Sequence, residues 1–329
     1  GDAEAWRAVT EIVAFQRETL LANPLLDIDR LLVLRRRLGT NARSAMGSSL
    51  GVGTLNAHTN DSLARNGWDN EIAILSGLNP ASSPDSAIDP LTKPSIETLY
   101  KPVGDSGKII TDLDVDFEAH RVMFSSVGDA EPNWRLFELN IDGTELSQVV
   151  PDDGPDVGHF DSCYLPDDNI MFCSTASYQG LPCEYGSRAM VCLYRYERAS
   201  GRIRQLTFEQ DSDWCPTALS NGRVMYLRWE YADLPHSNSR ILFHMNPDGT
   251  SQMEYYGSGS YFTPSFFYAR PIPDHSSQVI GIVTGHHGTP RSGRLMIIDP
   301  ALGRREAEGV VQEIPGWGET VETIVADRI

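Results

Sequence analysis

Aspartates precede the first apolar strand of several repeated segments, and their carboxylates are the first groups that could do chemistry. Asp114, Asp161 and Asp213 hold this position, and Asp29 holds it in a weaker first copy. If these strands converge on a channel, several carboxylates could meet at one mouth, where clustered oxygen ligands suit Ca²⁺ or another hard cation. The alternative is that each aspartate only accepts backbone N–H groups at a turn.

Two histidine segments are candidate ligands for a transition metal. His286 and His287 directly follow an apolar run, and His236 lies in a Pro-His-Ser-Asn segment. Neutral imidazole is a common metal ligand, and with Cys183 or Cys215 it could form a mixed Cys/His zinc site. The candidate cofactors are therefore Ca²⁺ and Zn²⁺. The alternative is that these are hydrogen-bonded loop histidines.

The five cysteines lie within 53 residues of one another and form no CxxC pair and no CxxCH segment. The chain therefore predicts no covalently attached c-type haem and no CxxC zinc ligand pair. Cys183 and Cys192 bracket a predicted loop, and Cys163 and Cys173 flank a predicted hairpin turn, so both pairs are disulfide candidates. Small buried thiols are the alternative.

Two further features have simpler explanations than catalysis or binding. The segment 47–51 matches GxSxG, but it lacks the preceding strand and following helix that a nucleophile elbow requires, so we interpret it as a glycine-rich loop. Aromatic residues cluster at 229–231, 255–256, 261–262 and 266–268. They could stack on a sugar or a partner, but we expect them to pack in the core.

The elements that must position these residues recur with a regular spacing. Apolar strands that follow a polar turn contain Val122, Ile170, Val224 and Val279, which are 48, 54 and 55 residues apart. A second apolar strand follows each of them, and a turn leads into another short strand. Each unit is thus about four short antiparallel strands in roughly 50 residues, and radial repetition of such sheets produces a β-propeller.

The predicted fold class is therefore all-β, a propeller of four-stranded antiparallel blades with a short N-terminal helix. Five units are recognisable, and a disc must close to hide its edge strands. Either it closes with five blades, or the full protein has a sixth, and we expect the six-bladed disc. The predicted segments are a helix at 1–23, the propeller at 24–315 and a tail or further blade at 316–329. The predicted blades are 24–102, 112–150, 159–208, 213–257 and 264–314, with an insertion at 38–67.

The balance of charge limits the partners. With 27 basic and 45 acidic side chains, the formal net charge is −18. Nucleic-acid binding needs clustered Lys and Arg, and anionic membranes attract basic segments, so neither is an expected partner. No apolar run reaches the roughly 18 residues of a membrane-spanning helix, so no membrane insertion is expected. The chain shows no signal peptide, and its first residues resemble a cut into a longer chain.

Several longer phrases resemble the propeller region of proteins related to the hydrazine synthase alpha subunit. They are NPLLDIDRLLVLRR (23–36), GWDNEIAIL (67–75), DSCYLPDDNIMF (161–172), QLTFEQDSDWCPTALSNGRVMYLRWEY (205–231), PHSNSRILFHMNPDGT (235–250), RPIPDHSSQVIGIVTGHHG (270–288) and DPALGRREAEGVVQEIPGWG (299–318). The resemblance implies TolB-like, WD40-like blades, an extracytoplasmic, periplasmic location and further chain beyond Ile329. In the namesake subunit the propeller precedes domains that carry c-type haems. This chain has no CxxCH segment, so that haem chemistry does not carry over.

Three functions are compatible with these observations. The expected one is a binding or scaffold module of a larger protein, which presents a propeller face to a protein or small-molecule ligand. The second is a part of a haem- or metal-dependent redox enzyme, in which the propeller supplies walls and ligands. The third is a metal-assisted hydrolase with Asp and His side chains at the channel mouth. The fold alone does not distinguish them, because propellers host many activities.

Overall fold

Antiparallel strands account for most of the regular structure. The computed structural model describes residues 2–22, 28, 30–36, 63–77, 94–103, 107–128, 133–182, 185–229, 240–284 and 293–314. Over these ranges the chain forms one α-helix and 19 strands. It divides into two compact units, the first comprising residues 1–37 and 69–104 and the second residues 38–68 and 105–329.

The first unit combines a helix with a three-stranded antiparallel sheet in the order β1-β2-β3. Its elements are α1 (Asp2–Leu21), β1 (Arg30–Arg36), β2 (Asn70–Ser76) and β3 (Ser95–Tyr100). The central strand β2 is buried from Asn70 to Ile74. The predicted N-terminal helix is confirmed, but its apolar residues are exposed, with Trp6 and Phe15 each 70% exposed. No helix in the described ranges is long and apolar enough to cross a membrane.

The second unit contains four four-stranded antiparallel sheets, each formed by consecutive strands. The first sheet is β4 (Ile110–Val115), β5 (Arg121–Val127), β6 (Trp134–Asn140) and β7 (Ser147–Gln148); the second is β8 (His159–Tyr164), β9 (Ile170–Ser174), β10 (Cys192–Glu197) and β11 (Arg202–Gln205). The third is β12 (Asp213–Ala218), β13 (Val224–Trp229), β14 (Arg240–Met245) and β15 (Met253–Tyr256); the fourth is β16 (Ser265–Pro271), β17 (Val279–Thr284), β18 (Arg294–Ile298) and β19 (Val310–Ile314). One parallel bridge, Arg240 to Ser265, connects the third sheet with the fourth.

The first strands of the four sheets pack against one another in chain order. Strand β8 packs on β4 and β12, and β12 packs on β16. We call β4, β8, β12 and β16 the inner strands. This arrangement, with a four-stranded antiparallel sheet extending outward from each inner strand, is that of propeller blades. The prediction of an all-β propeller with four-stranded antiparallel blades is therefore confirmed.

Turn chemistry explains why the third and fourth strands of a blade form hairpins. In the first blade the Asp142 carboxylate accepts the Thr144 N–H at 3.0 Å and the Thr144 hydroxyl at 2.6 Å, around Gly143 at φ 83°. In the third blade Asp248 accepts the same two groups of Thr250 at 3.0 and 2.7 Å. Aspartate stabilises such turns by bonding to the backbone two residues on, and the glycine supplies the positive φ.

Large aromatic side chains fill the space between the first two blades and the interior of the third. Trp134 of the first blade meets Phe160 of the second edge-to-face at 6.4 Å, and both side chains are buried. In the third blade Trp214 lies 6.2 Å from Trp229, and the Arg240 guanidinium stacks on the Trp229 ring at 4.2 Å. The core interpretation of the aromatic clusters is confirmed for five of their residues, which are buried: Trp229, Tyr255, Tyr256, Phe266 and Phe267.

A buried polar cluster also joins the first and second blades. Glu138 of β6 accepts a hydrogen bond from the Tyr164 hydroxyl of β8 at 2.8 Å and one from Arg198 at 2.5 Å. Burial and the neighbouring Glu138 carboxylate raise the pKa of Tyr164. The phenol therefore stays a hydrogen-bond donor, and the carboxylate has partners on strand β8 and on the turn after strand β10 of the next blade.

The close approach of two strands in the fourth blade gives a test of its packing. A Cβ at Gly281 of β17 would lie 2.5 Å from Cε2 of Phe266 and 3.0 Å from the Phe267 carbonyl oxygen. We expect Gly281→Ala to lower the free energy of unfolding by about 2 kcal/mol, because overpacking forces neighbouring groups to move. Urea denaturation measures this value. In a double-mutant cycle, Phe266→Leu should relieve part of the cost, with a coupling of about 0.5 kcal/mol or more. Strictly additive effects would show that the ring is not the obstacle.

Candidate functional site

All four inner strands carry the same backbone irregularity. Each has a register shift against the second strand of its blade. At each shift one non-glycine residue adopts a left-handed conformation: Asp112 (φ 56°), Asp161 (φ 48°), Cys215 (φ 51°) and Tyr268 (φ 53°). Such bulges redirect the side chains that follow. The bulge residue therefore defines a common numbering for the four inner strands.

The residues two positions after each bulge are chemically different from one another. They are Asp114, Cys163, Thr217 and Arg270, and we call them the inner-strand cluster. Arg270 Nη1 donates to Asp114 Oδ1 at 3.2 Å and to Thr217 Oγ1 at 2.8 Å. The other carboxylate oxygen, Asp114 Oδ2, accepts the backbone N–H of Tyr164 at 2.9 Å. One Asp–Arg pair thus connects all four inner strands.

The electrostatics of the cluster follow from partial burial. The Asp114 side chain is 15% exposed and that of Arg270 is 46% exposed. Burial raises the pKa of Asp114, while Arg270 and the Tyr164 N–H oppose that rise. Burial also raises the pKa of the Cys163 thiol, and the neighbouring Asp114 charge raises it further. The thiol is therefore neutral and unreactive at neutral pH, whereas the guanidinium is charged and half-exposed.

Asp161 links three consecutive blades. Its Oδ2 accepts the backbone N–H of Cys215 at 2.8 Å and lies 3.8 Å from the Cys173 sulfur. Its own N–H donates to the Ser125 hydroxyl of the preceding blade at 3.0 Å. These bonds satisfy backbone donors at the bulges.

Asp213 is fully buried beside an arginine. Arg228 Nε donates to Asp213 Oδ1 at 3.0 Å, and Arg228 also pairs with Glu209 at 3.1 Å and stacks on the Phe243 ring at 4.5 Å. Burial raises the pKa of Asp213 to about 6, against the opposing effect of Arg228. This pair belongs to the core of the third blade.

The three predicted aspartates occupy three different levels of the inner strands. Relative to the bulge, Asp213 lies two residues before it, Asp161 lies at it and Asp114 lies two residues after it. Among the described residues, no group of three or more His, Cys, Asp or Glu side chains could hold a metal ion. Asp29, His236, His286 and His287 lie outside the described residues. Binding of Ca²⁺ or Zn²⁺ by the predicted residues stays a prediction.

The described cysteines are buried and form no disulfide bonds. They are Cys163, Cys173, Cys192 and Cys215. Cys163 stands opposite Met171 in the hairpin and Cys173 opposite Phe160, so the two sulfurs do not face each other. The candidate Cys163–Cys173 disulfide is therefore wrong, because the hairpin register pairs Cys163 with Met171, two residues before Cys173. Cys183 lies outside the described residues.

Three side chains in a Ser-His-Asp arrangement were not identified from the sequence. His159 Nδ1 lies 3.0 Å from the Ser174 hydroxyl, and His159 Nε2 lies 3.6 Å from Asp153 Oδ2. These are the residue types of a hydrolase triad, but His159 and Ser174 are completely buried. Ser174 Oγ also accepts the Ala176 N–H at 3.1 Å. No substrate reaches the hydroxyl in this conformation, so the arrangement is structural.

The first unit contains a pocket of about 350 Å³. Its lining residues are Arg35, Arg36, Asp69, Asn70 and Glu71. Arg35 pairs with Glu71, and Lys101 pairs with Asp69 at 2.8 Å. Arg35, Glu71 and Asp69 are thus held in ion pairs, whereas the Arg270 side chain of the second unit is 46% exposed. The inner-strand cluster of the second unit is therefore the stronger candidate site.

Removing the cation beside Asp213 should destabilise the protein in a pH-dependent way. We expect Arg228→Leu to lower the free energy of unfolding by about 3 kcal/mol, because it leaves a buried carboxylate without its partner. The folded-state pKa of Asp213, already raised to about 6, would rise further, so stability should keep falling as pH increases above 6. Urea denaturation between pH 5 and 8 measures this.

Two variants control that experiment. Arg294→Leu removes an exposed arginine that pairs with Glu313 on an outer strand, and it should cost under about 1 kcal/mol. Adding Asp213→Asn to Arg228→Leu should abolish the extra pH dependence. If that dependence persists in the double variant, another group causes it.

Acid should destabilise the protein through His159. Burial lowers the pKa of His159 from 6.5 to about 4. Below pH 6.5 the His159 imidazole is protonated in the unfolded chain but stays neutral in the folded protein. The free energy of unfolding therefore falls by about 3 kcal/mol between pH 6.5 and 4. We expect His159→Phe to lose this part of the slope while His244, whose pKa is also about 4, retains its own. Urea denaturation at pH 7.5, 6.0 and 4.5 measures the free energy of unfolding.

A control variant is His120→Gln, at an exposed turn, whose free energy of unfolding should match that of wild type at each pH. Equal slopes of stability against pH for His159→Phe and wild type would contradict the assignment to His159.

Comparison with known proteins identifies the fold. No protein-family model matches the chain, and no curated protein matches it. A hydrazine synthase chain from Kuenenia stuttgartiensis matches with a TM-score of 0.57 and 13% identity, covering 83% of this chain and 37% of that chain. A TolB-type protein from Agrobacterium tumefaciens matches with a TM-score of 0.50 and 12% identity, covering 77% of this chain and 79% of that chain.

These similarities concern the fold alone, because the identities are low. The chain spans about a third of the length of the hydrazine synthase chain that it matches, so the activity of that protein does not transfer with the fold. The resemblance predicted from the sequence is nevertheless confirmed at this level. The chain is a β-propeller protein whose fold is similar to those of hydrazine synthase and TolB-type proteins.

Proposed function

We propose that this chain is a ligand-binding propeller module of a larger extracytoplasmic protein, and that its inner-strand cluster binds a small molecule. The observation that supports the proposal is the half-exposed Arg270 side chain, held by Asp114 and Thr217 where four inner strands meet. Propellers commonly use the end of the central channel as a site, since loops and inner strands converge there. A binding role requires an accessible, preoriented polar group, and Arg270 has this character.

The extracytoplasmic location and the larger protein rest on the resemblance to hydrazine synthase and TolB-type propellers. The coverage of 37% of the hydrazine synthase chain supports a role as one part of a larger assembly. Subcellular fractionation of the native host, with antibody detection of this chain, tests the location. Recovery only with cytosolic marker enzymes would overturn it.

A second candidate is that the propeller forms a wall of a redox enzyme. The fold similarity to hydrazine synthase favours it. Such an enzyme needs a redox cofactor, and this chain has no CxxCH segment for covalent haem attachment. The purified full-length native protein should then show a visible absorption band that bleaches or shifts with dithionite. A colourless preparation from the native host would exclude a haem-bearing assembly.

The binding proposal predicts ligand-dependent stabilisation that requires Arg270. In a thermal-shift screen of organic acids, amino acids, sugars and nucleosides, at least one class should raise Tm, because a ligand that binds only the folded state stabilises it. The shift should disappear in Arg270→Ala and remain in Arg294→Ala, which removes an arginine on an outer strand. If no class raises Tm, or every ligand stabilises Arg270→Ala equally, the proposed site is wrong.

A further inference from the structure

One edge of the Arg270 guanidinium has no protein partner within the described part of the chain. Its Nη1 donates to Asp114 Oδ1 and Thr217 Oγ1. No hydrogen bond links its Nε or Nη2 to another described residue, and the side chain is 46% exposed. The guanidinium is therefore anchored at one nitrogen and open at the other two.

Nε and Nη2 of an arginine form a planar fork with two nearly parallel N–H donors. This fork matches the two oxygens of a carboxylate, and such bidentate pairs are stronger than single hydrogen bonds between neutral groups. The anchoring bonds to Asp114 and Thr217 restrict the side chain before a ligand arrives. Preorganisation reduces the entropy that binding must overcome.

We propose that the Nε/Nη2 edge of Arg270 binds the carboxylate group of a small ligand. This inference deepens the proposed function of the inner-strand cluster and rests on it. Binding is noncovalent, so no covalent bond is made or broken. The ligand carboxylate becomes the third acceptor of the guanidinium, after Asp114 and Thr217.

The local charge favours a singly charged planar group over phosphate. Asp114 and Arg270 together carry no net charge, and the Tyr164 N–H holds the Asp114 carboxylate in place at 2.9 Å. A doubly charged phosphate would face this fixed carboxylate and a protein of net charge −18. One guanidinium edge compensates one negative charge, which a carboxylate supplies.

The same geometry makes Asp114 a competitor of the ligand. Its carboxylate reduces the positive potential at the guanidinium that the ligand must approach. Asp114→Asn keeps the side-chain shape and an acceptor oxygen but removes the charge. This variant should therefore bind carboxylates more tightly than wild type, whereas a purely structural role of Asp114 predicts weaker binding.

The test uses propionate and its neutral isostere propionamide on the 329-residue protein. Ligand-observed NMR and calorimetry, at constant ionic strength, give Kd for both compounds and for inorganic phosphate. We expect propionate to bind and propionamide to bind at least about tenfold more weakly, since hydrogen bonds to charged groups are the stronger ones. Phosphate should compete poorly with propionate.

Four variants assign the binding to the guanidinium edge. Arg270→Gln should raise the propionate Kd about tenfold or more, and Arg270→Lys should raise it by less because it keeps the charge but loses the fork. Asp114→Asn should lower it about threefold. Arg294→Gln, at a comparably exposed arginine paired with Glu313, should leave it unchanged. Near-UV circular dichroism verifies that each variant is folded.

Each contrary result has a distinct meaning. Equal affinity for propionate and propionamide, preferential phosphate binding, or unchanged propionate binding in folded Arg270→Gln would overturn the carboxylate assignment. A neutral ligand from the screen that still depends on Arg270 would overturn this inference but leave the proposed binding function intact. Weaker propionate binding in folded Asp114→Asn would contradict the competitor role and, with it, the proposed geometry.

Discussion

Consecutive blades of the second unit are joined by carboxylates that accept backbone N–H groups of the next inner strand. Asp114 accepts the Tyr164 N–H, and Asp161 accepts the Cys215 N–H. Each bond lies near a bulge, where the regular ladder leaves backbone groups without their usual partners. Buried backbone donors must be satisfied, so these carboxylates allow the inner strands to pack closely despite the irregularity.

The need to satisfy buried polar groups also explains why the basic residues in the core are arginines. Of the 27 basic residues only three are lysines, and the other 24 are arginines. Arg135, Arg228 and Arg240 are buried, and each stacks on an aromatic ring or bonds to carbonyl or carboxylate oxygens. The planar guanidinium can distribute its donors among several acceptors while its face contacts a ring, which an ammonium group cannot do. Part of the acidity of the chain is therefore structural, because it neutralises and orients these arginines.

The four inner strands share the bulge in their backbone but differ in the side chains that follow it. The backbone repeats, but the side chains two residues later do not: an acid, a thiol, a hydroxyl and a guanidinium occupy equivalent positions. Symmetric scaffolds acquire specific sites by varying such positions. Here the variation produces one Asp–Arg pair across the inner strands and leaves Arg270 as the accessible charged group.

The sequence by itself determined the blade architecture. The spacing of Val122, Ile170, Val224 and Val279 indicated four-stranded units, and turns after the second apolar strand led into a further short strand, because strand alternation and turn chemistry are local properties. It also placed Asp114, Asp161 and Asp213 near the blade entries. Arg270 was not selected, because the number of residues between this position and the second strand differs from blade to blade, so an alignment on the second strands does not match it with Asp114.

Only the tertiary structure decided how these residues combine. The three aspartates appeared equivalent in sequence, but bulges shift the register, so they lie at three levels and have different partners. The hairpin register likewise places Cys163 opposite Met171 and Cys173 opposite Phe160. Arg270 meets Asp114 across 156 residues of sequence, and such a contact depends on the packing of four inner strands. Local patterns predict strands and turns, whereas the pairing of side chains on different blades depends on bulge positions and blade packing, which no short stretch of sequence encodes.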